Sequence, residues 1–534
     1  MSKRPTMNRT SGRGAGRRAA DPSKQWLCEW ETTREGILKP ASNWSLPQLE
    51  RVEQTIGQIA HDEFRLDTYP NQIEIITAEQ MLDAYTSIGL PVNYHHWSFG
   101  KHFTQQAKAY QRGQMGLAYE LVINSNPCIA YLMEENTALM QLFVIAHACF
   151  GHNSFFKGNH LFREWTDAEA IIDYILFARD YIAQCEALYG DEVETILDAC
   201  HTLQQYGVDR YGRPPKLSPR EERELQKERA AYLQSQVNDL WLHSLPKENA
   251  NERQEEKRFP ESPEENILYF IEKHSPSLKP WEREIVRIVR KISQYFYPQS
   301  QTQVMNEGWA SFWHYTLISR LDELGMMPPG YMMEFLKNHT NVVYQPNYDD
   351  QWYGGINPYY LGFNMFRDIR RICEHPTDED RKWFPDIAGS DWITTLQDAM
   401  RNYKDESFIQ QFLSPTLIRQ MHLFGLLDDP FRNPRHLEIS AISDENGYRE
   451  IRQILAAEHD LGALQPTIEV YNVDKRDRTL TLRHTPWNKV PLDKASMDEV
   501  AKHIHTRLWG NFPVKVESQD TEGRTITVSQ LPSK

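Results

Sequence analysis

The sequence has no apolar run long enough to span a membrane, so no transmembrane helix is expected. It has no signal-peptide pattern either: the N-terminus is basic, but no apolar segment follows it. None of its six cysteines, Cys28, Cys128, Cys149, Cys185, Cys200 and Cys373, forms a C-x-x-C pair. In a chain of 534 residues they read as reduced, buried thiols of a cytoplasmic protein. Positive charge is in deficit as well. A formal net charge of −15 argues against a general nucleic-acid binder. Also missing is the H-E-x-x-H motif of zinc peptidases, and with it the general-base glutamate it supplies.

What remains is an ordinary soluble composition, 40% hydrophobic and 25% charged, with length for two or three domains. Aromatics cluster with histidines, and two such clusters look like halves of one site. One is His147-Ala-Cys-Phe-Gly-His152, at the end of an apolar run that begins near Leu139. The other is Asn306-Glu307-Gly-Trp-Ala-Ser-Phe-Trp-His314. Imidazole and carboxylate are costly to bury unless something satisfies them. A divalent metal satisfies both, because neutral imidazoles and carboxylates are its usual ligands.

The spacing sets a condition. On an ideal α-helix residues five apart lie about 140° apart, against about 40° for four. His147 and His152 therefore share a face only if a π-bulge, or an unwinding at Gly151, distorts the helix. Glu307 and His314 lie within about 20° of each other and do share one. The expected ligands are His147, His152 and Glu307 around one divalent ion, zinc first and iron as the alternative. Asp198, His201 and His314 are candidates for a fourth ligand or for supporting partners. Position 148 is alanine, so a base must come from elsewhere. Cys149 reads as core filler. The plain alternative is an aromatic core with hydrogen-bonded polar groups.

Along the chain, residues 1–24 carry Lys3, Arg4, Arg9, Arg13, Arg17 and Arg18 and read as a disordered basic tail. A helix is expected over 45–61. Residues 93–102 (NYHHWSFGKH) suit a pocket wall, with His95, His96 and Lys101 as lining candidates. Strands over 117–124 and 127–132 precede a helix that Glu134 opens and that carries His147. Thr166 is expected to cap one long helix and Asp191 to start another. On the latter, Asp198 and His201 have the acid-x-x-His spacing of carboxylate-bridged di-iron bundles. Residues 208–262 read as a charged insertion. An apolar-faced helix over 281–296 leads into the Glu307 helix. Residues 354–363 approach another helix, with Asn357 and Tyr359 as pocket candidates and Arg367 as a receptor for an anionic group. A further helical stretch covers 407–427. After Pro434 come strands over 437–442, 467–473, 480–483, 514–516 and 525–528, and helices over 447–456 and 496–509. They fit a small two-layer α+β domain of ferredoxin-like or related type.

Five stretches together resemble the SpoVR family, named for stage V sporulation protein R and including the YcgB type. They are Tyr94–Phe103 (YHHWSFGKHF), Ala118–Leu132 (AYELVINSNPCIAYL), His147–Asn159 (HACFGHNSFFKGN), Asn306–Tyr315 (NEGWASFWHY) and Ile356–Phe363 (INPYYLGF). The resemblance spans nearly everything but the basic tail. It implies a link to spore cortex formation or stress response. It also implies a PrkA-type serine protein kinase and a YeaH-like protein as partners. No established catalytic residues come with it, so the site rests on the residues alone.

The expected fold is α+β. It comprises a mostly α-helical main domain over 25–430, with a small β-sheet near a zincin-like site, and a C-terminal α+β domain over 435–534. The expected function is metal-dependent hydrolysis of an amide bond, with metal-activated water as nucleophile. Two alternatives stand beside it: a non-enzymatic regulatory partner in a kinase complex, and a di-iron oxygenase-type centre using Asp198, His201 and Glu307.

Overall fold

The computed structural model describes residues 44–86, 93–99, 101, 120–210, 258–328, 330–347, 350–351, 353–428, 437–440, 444–460, 464–486, 492–519 and 524–532. The basic tail, residues 211–257 of the insertion, residues 117–119 of the expected strand and the linker after Asp428 lie outside them.

Among the described residues the chain is mostly helical, with three small sheets. Strands β1 (Asn71–Ile76), β2 (Glu120–Ile123) and β3 (Cys128–Met133) lie in the order β1-β3-β2, with β1 parallel and β2 antiparallel to β3. Strand β1 escapes a reading by hydrophobic runs because its isoleucines are only partly buried among Asn71, Gln72 and Glu74. Among the described strands β2 is an edge, and it lies beside the segment that carries His147.

That segment starts as a helix over Ala138–Ile145, capped by Thr137, whose side chain accepts from the Met140 N–H. Glu134 does not open it. Six of its eight residues are buried, so tertiary packing holds it. From Ala146 to His152 the helix widens into a π-helix, and it resumes as α over Asn153–Gly158. Gly151 does not end it. Its role is close approach: a Cβ there would lie 2.6 Å from Ala310 Cα. Ala310 belongs to the helix Gln303–Glu323, whose Trp309, Phe312 and Trp313 are among the most buried side chains of the molecule. Asp405 fixes the start of that helix, accepting from the Val304 and Met305 N–H groups at 2.8 Å each. Its flank meets the helix Pro358–Glu374 backbone to backbone: a Cβ at Gly308 would lie 2.4 Å from Gly362 Cα.

Several elements differ from expectation for local reasons. Thr166 ends the short helix His160–Trp165, and the long helix begins at Ile171. The stretch 407–427 breaks into helices Asp405–Phe412 and Pro415–Gln420 and strand β4 (Gly425–Asp428), because Pro415 restarts the helix. Strand β5 (Leu437–Ser440) pairs with β4, not with the C-terminal sheet. The helix Glu445–Glu458 puts Ile451, Leu455 and Ala456 into the same apolar core as Trp309 and Trp313. The C-terminal sheet holds β6 (Thr467–Val473), β7 (Leu480–Thr485), β8 (Val514–Gln519) and β9 (Thr525–Leu531) in the order β6-β7-β8-β9. The helix Lys494–His503 lies in the crossover between the parallel pair β7 and β8. This sequential order is not the interleaved ferredoxin-like one.

Candidate metal centre

The π-helix meets the spacing condition. Its hydrogen bonds close five residues apart, so residues i and i+5 stack. The rings of His147 and His152 accordingly lie 4.6 Å apart, centroid to centroid. Opposite them stands Glu307, whose Oε2 lies 3.8 Å from His147 Nε2 and 3.6 Å from His152 Nε2. A fourth group joins from β2: Glu120 Oε1 lies 3.4 Å from His147 Nε2. Ligand atoms of Glu120, His147 and His152 all lie within 4.8 Å of one another.

Partners behind the rings decide which nitrogen faces the site. His152 Nδ1 lies 3.0 Å from Asn306 Oδ1. An amide oxygen only accepts, so the proton sits on Nδ1 and the Nε2 lone pair faces Glu307. His147 Nδ1 lies 2.8 Å from His314 Nδ1, and His314 Nε2 lies 2.7 Å from His339 Nδ1. One arrangement satisfies this chain with a lone pair on His147 Nε2: each imidazole donates to the next, ending on His339. Holding the outer nitrogen of a histidine is what partners of metal ligands do.

The electrostatics match. Burial, with help from neighbouring His152, pushes His147 down to about 4, so it is neutral at pH 7. Burial, and then the Glu307 charge, raises Glu120 well above the carboxylate range. Burial raises Glu307 too, but His152, His147 and the Tyr359 hydroxyl outweigh it and hold it low. Burial and then His147 hold His314 far below the usual histidine range, and burial and then Arg367 bring His339 to about 4.

The other candidates fall in different places. His314 stands behind His147 as a supporting partner. Tyr359 reaches Glu307 and stacks 6.4 Å from the His147 ring. Asn357 caps its helix, accepting from the Tyr359 N–H and donating to Val342 O and Tyr344 O. Arg367 is exposed and lies over the Phe363 ring. Asp198 and His201 are not brought to Glu307; they meet His96, Trp97 and Tyr94 instead. His95 is exposed, and Lys101, also exposed, lies over Trp97. A cleft of ≈ 910 Å³ shares the turn before Tyr359, being lined by Gly355, Ile356 and Tyr360 with Tyr344, Met421 and Ile454.

Sequence reasoning missed Glu120, His339 and the role of Asn306. Glu120 had a signal: it is the one charge in the strand pattern Ala118-Tyr-Glu-Leu-Val-Ile123, on the same side as Val122. His339 had none, since a histidine on an amphipathic helix is ordinary.

The family model described as "SpoVR like protein" matches residues 43–464, and that described as "SpoVR-like C-terminal domain" matches 466–521. A protein of Escherichia coli (strain K12) described as "Uncharacterized protein YcgB" is 57% identical over 507 residues, covering 94% of this chain and 98% of its own length. No solved structure matches. With both family models matched in sequence order and a relative this similar over nearly its whole length, the chain belongs to the SpoVR family.

Proposed function

We propose that Glu120, His147, His152 and Glu307 hold one divalent metal, zinc, and that the protein is a metal-dependent hydrolase of an amide bond. One observation carries the reading: four lone-pair groups converge in a buried place, and Glu120 Oε2 and Glu307 Oε2 have no hydrogen-bond partner there. Lone pairs facing lone pairs repel, and a cation between them removes the penalty. When bound, the metal would supply a polarised water and a Lewis acid.

The chain's own residues do the rest. Glu307 is the carboxylate held ionised; with Oε2 facing the imidazoles, its other oxygen would take the proton of the attacking water and stand in for the glutamate absent at position 148. The Tyr359 hydroxyl orients it. The glutamate side chains are 18% and 20% exposed against 3% for His147, so a substrate approaches from the carboxylate side. The test is metal analysis of untagged protein, followed by an amidase screen on the metal-loaded form. His152→Ala should lose one equivalent of zinc relative to wild type with its helical signal unchanged; equal metal content sinks the reading. The family resemblance supports a kinase-linked cytoplasmic setting, with the PrkA-type kinase and YeaH-like protein as partners. Co-purification on either partner tests it.

A further inference from the structure

The cleft of ≈ 910 Å³ beside the turn before Tyr359 has a chemistry of its own. It is lined from the end of the helix Tyr331–Val342, the turn 355–356, the turn after the helix Pro415–Gln420 and the last two turns of the helix Glu445–Glu458. Its volume suits a small organic ligand. Much of its wall is apolar, including Val343, Ile356 and Ile454. Ile454 is 51% exposed, Tyr344 58% and Tyr353 41%, so large side chains stand in water around one cavity.

The cavity is braced by its own hydrogen bonds. Gln345 Oε1 accepts from the Asn357 N–H at 2.7 Å, and Gln345 Nε2 donates to Gly355 O at 3.2 Å. Asn357 Nδ2 in turn donates to Val342 O and Tyr344 O. Two amide side chains thus hold the segments on either side of residues 348–352 together. His422, which also lines the cleft, has a φ of 52°, in the left-handed region that favours glycine. A side chain is kept there against that preference, as happens at ligand sites.

The charges point one way. No lysine or arginine is among the lining residues, and Glu458 is the carboxylate among them. It is exposed and forms no ion pair among the described residues. The helices Tyr331–Val342 and Glu445–Glu458 both end at the cleft, and a helix C-terminus carries partial negative charge. The helix that starts there has proline at its first position, and its Tyr359 N–H is taken by Asn357. Tyr344, Tyr353 and Tyr360 bring three rings to the cleft, none with a ring or cation partner among the described residues. Elsewhere such rings carry a cation of the chain: Arg419 lies over Tyr448, and Arg258 over Tyr471. The cleft has the aromatic faces and negative charge that hold a cation, without a cation of its own.

We infer that this cleft binds an organic ammonium ion, an alkylamine whose stem lies along Val343, Ile356 and Ile454 and whose charged end meets the tyrosine rings and Glu458. A lysine-type side chain of a peptide and a free polyamine share this chemistry. The site shares no residue with the candidate metal centre and does not depend on the hydrolase reading.

Calorimetric titration of the full-length protein tests it with three probes: the blocked tripeptide acetyl-Leu-Lys-Leu-amide, its glutamate counterpart acetyl-Leu-Glu-Leu-amide, and spermidine. At least one of the two cationic probes should bind, and the glutamate peptide should not. E458K should weaken the bound cation about tenfold or more, and Y344A several-fold. Both side chains are exposed, so the variants keep the fold, as an unchanged melting temperature will verify. Whichever cationic probe binds more tightly names the source of the amine. Failure of both to bind at millimolar concentration, equal binding of the lysine and glutamate peptides, or wild-type affinity in both E458K and Y344A overturns the inference.

Discussion

At the scale of single residues, chemistry is decided by what stands behind each side chain. His147 can turn the lone pair of Nε2 toward the candidate metal centre because His314 accepts a hydrogen bond from its other nitrogen. His314→Ala should weaken zinc binding by about 10–100-fold without unfolding the protein, and His314→Asn should recover part of the loss; competition with a chelator of known affinity measures both. Away from the site, Asp380 accepts from Arg371 Nη1 and Nη2 at 2.6 and 2.9 Å, and from Thr377. Burial pushes its carboxyl up, but the Arg371 and then the Thr377 hydrogen bonds prevail and bring it to about 2. A folded pKa below the unfolded one means stability that is fully present above about pH 4 and is lost as pH falls toward 2. Asp380→Asn should cost about 3 kcal/mol at pH 7 and flatten that acid limb, as urea melts between pH 2 and 6 will show. Residues of this kind were partly legible. His147, His152 and Glu307 stood out as polar groups in apolar runs. Glu120 did not, because one charge in a strand gives no hint of which element it faces.

At the scale of elements, the clearest devices are a widened helix and glycines that let backbones touch. A Cβ at Gly362 would lie 2.1 Å from Val304 O, a backbone atom that cannot swing aside. Gly362→Ala should destabilise by about 2 kcal/mol and lower metal occupancy, because the displaced helix carries Glu307. Gly354→Ala, with nothing within 4 Å, is the control that changes neither. Thermal melts paired with metal analysis distinguish the two. Helices with clear apolar periodicity were readable from sequence, as Asp191–His201 shows with Val193, Ile196, Leu197 and Cys200 on its buried side. Strand β1 and the start of the helix at Ile171 were not, since pairing and packing with distant segments define them. The π-helix was readable only as a requirement: five-residue spacing demanded a distortion without saying which.

At the scale of the whole molecule, the C-terminal sheet is not an appendage. Ile468, Leu482 and Val514 share one apolar cluster with Leu268, Ile271 and Ile285 from the helices before the Glu307 helix. The Ser275 hydroxyl donates to Leu508 O, and Glu264 bridges to Val470. A chain stopped at residue 465 should therefore aggregate, because it leaves that face uncovered. Size-exclusion chromatography decides it, and a soluble monomer would count against the shared core. The strand texture of this region was legible; its embedding was not, because apolar periodicity names a buried face without naming its partner. Long-range assembly also sets a schedule for the candidate metal centre. Its groups come from positions 120, 147, 152 and 307, while the helix carrying the last is capped by residue 405 and braced by residue 362. A ribosome delivers these in order. The histidines leave it long before their carboxylate partner has a helix to stand on, so the centre can be loaded only late in synthesis or after release.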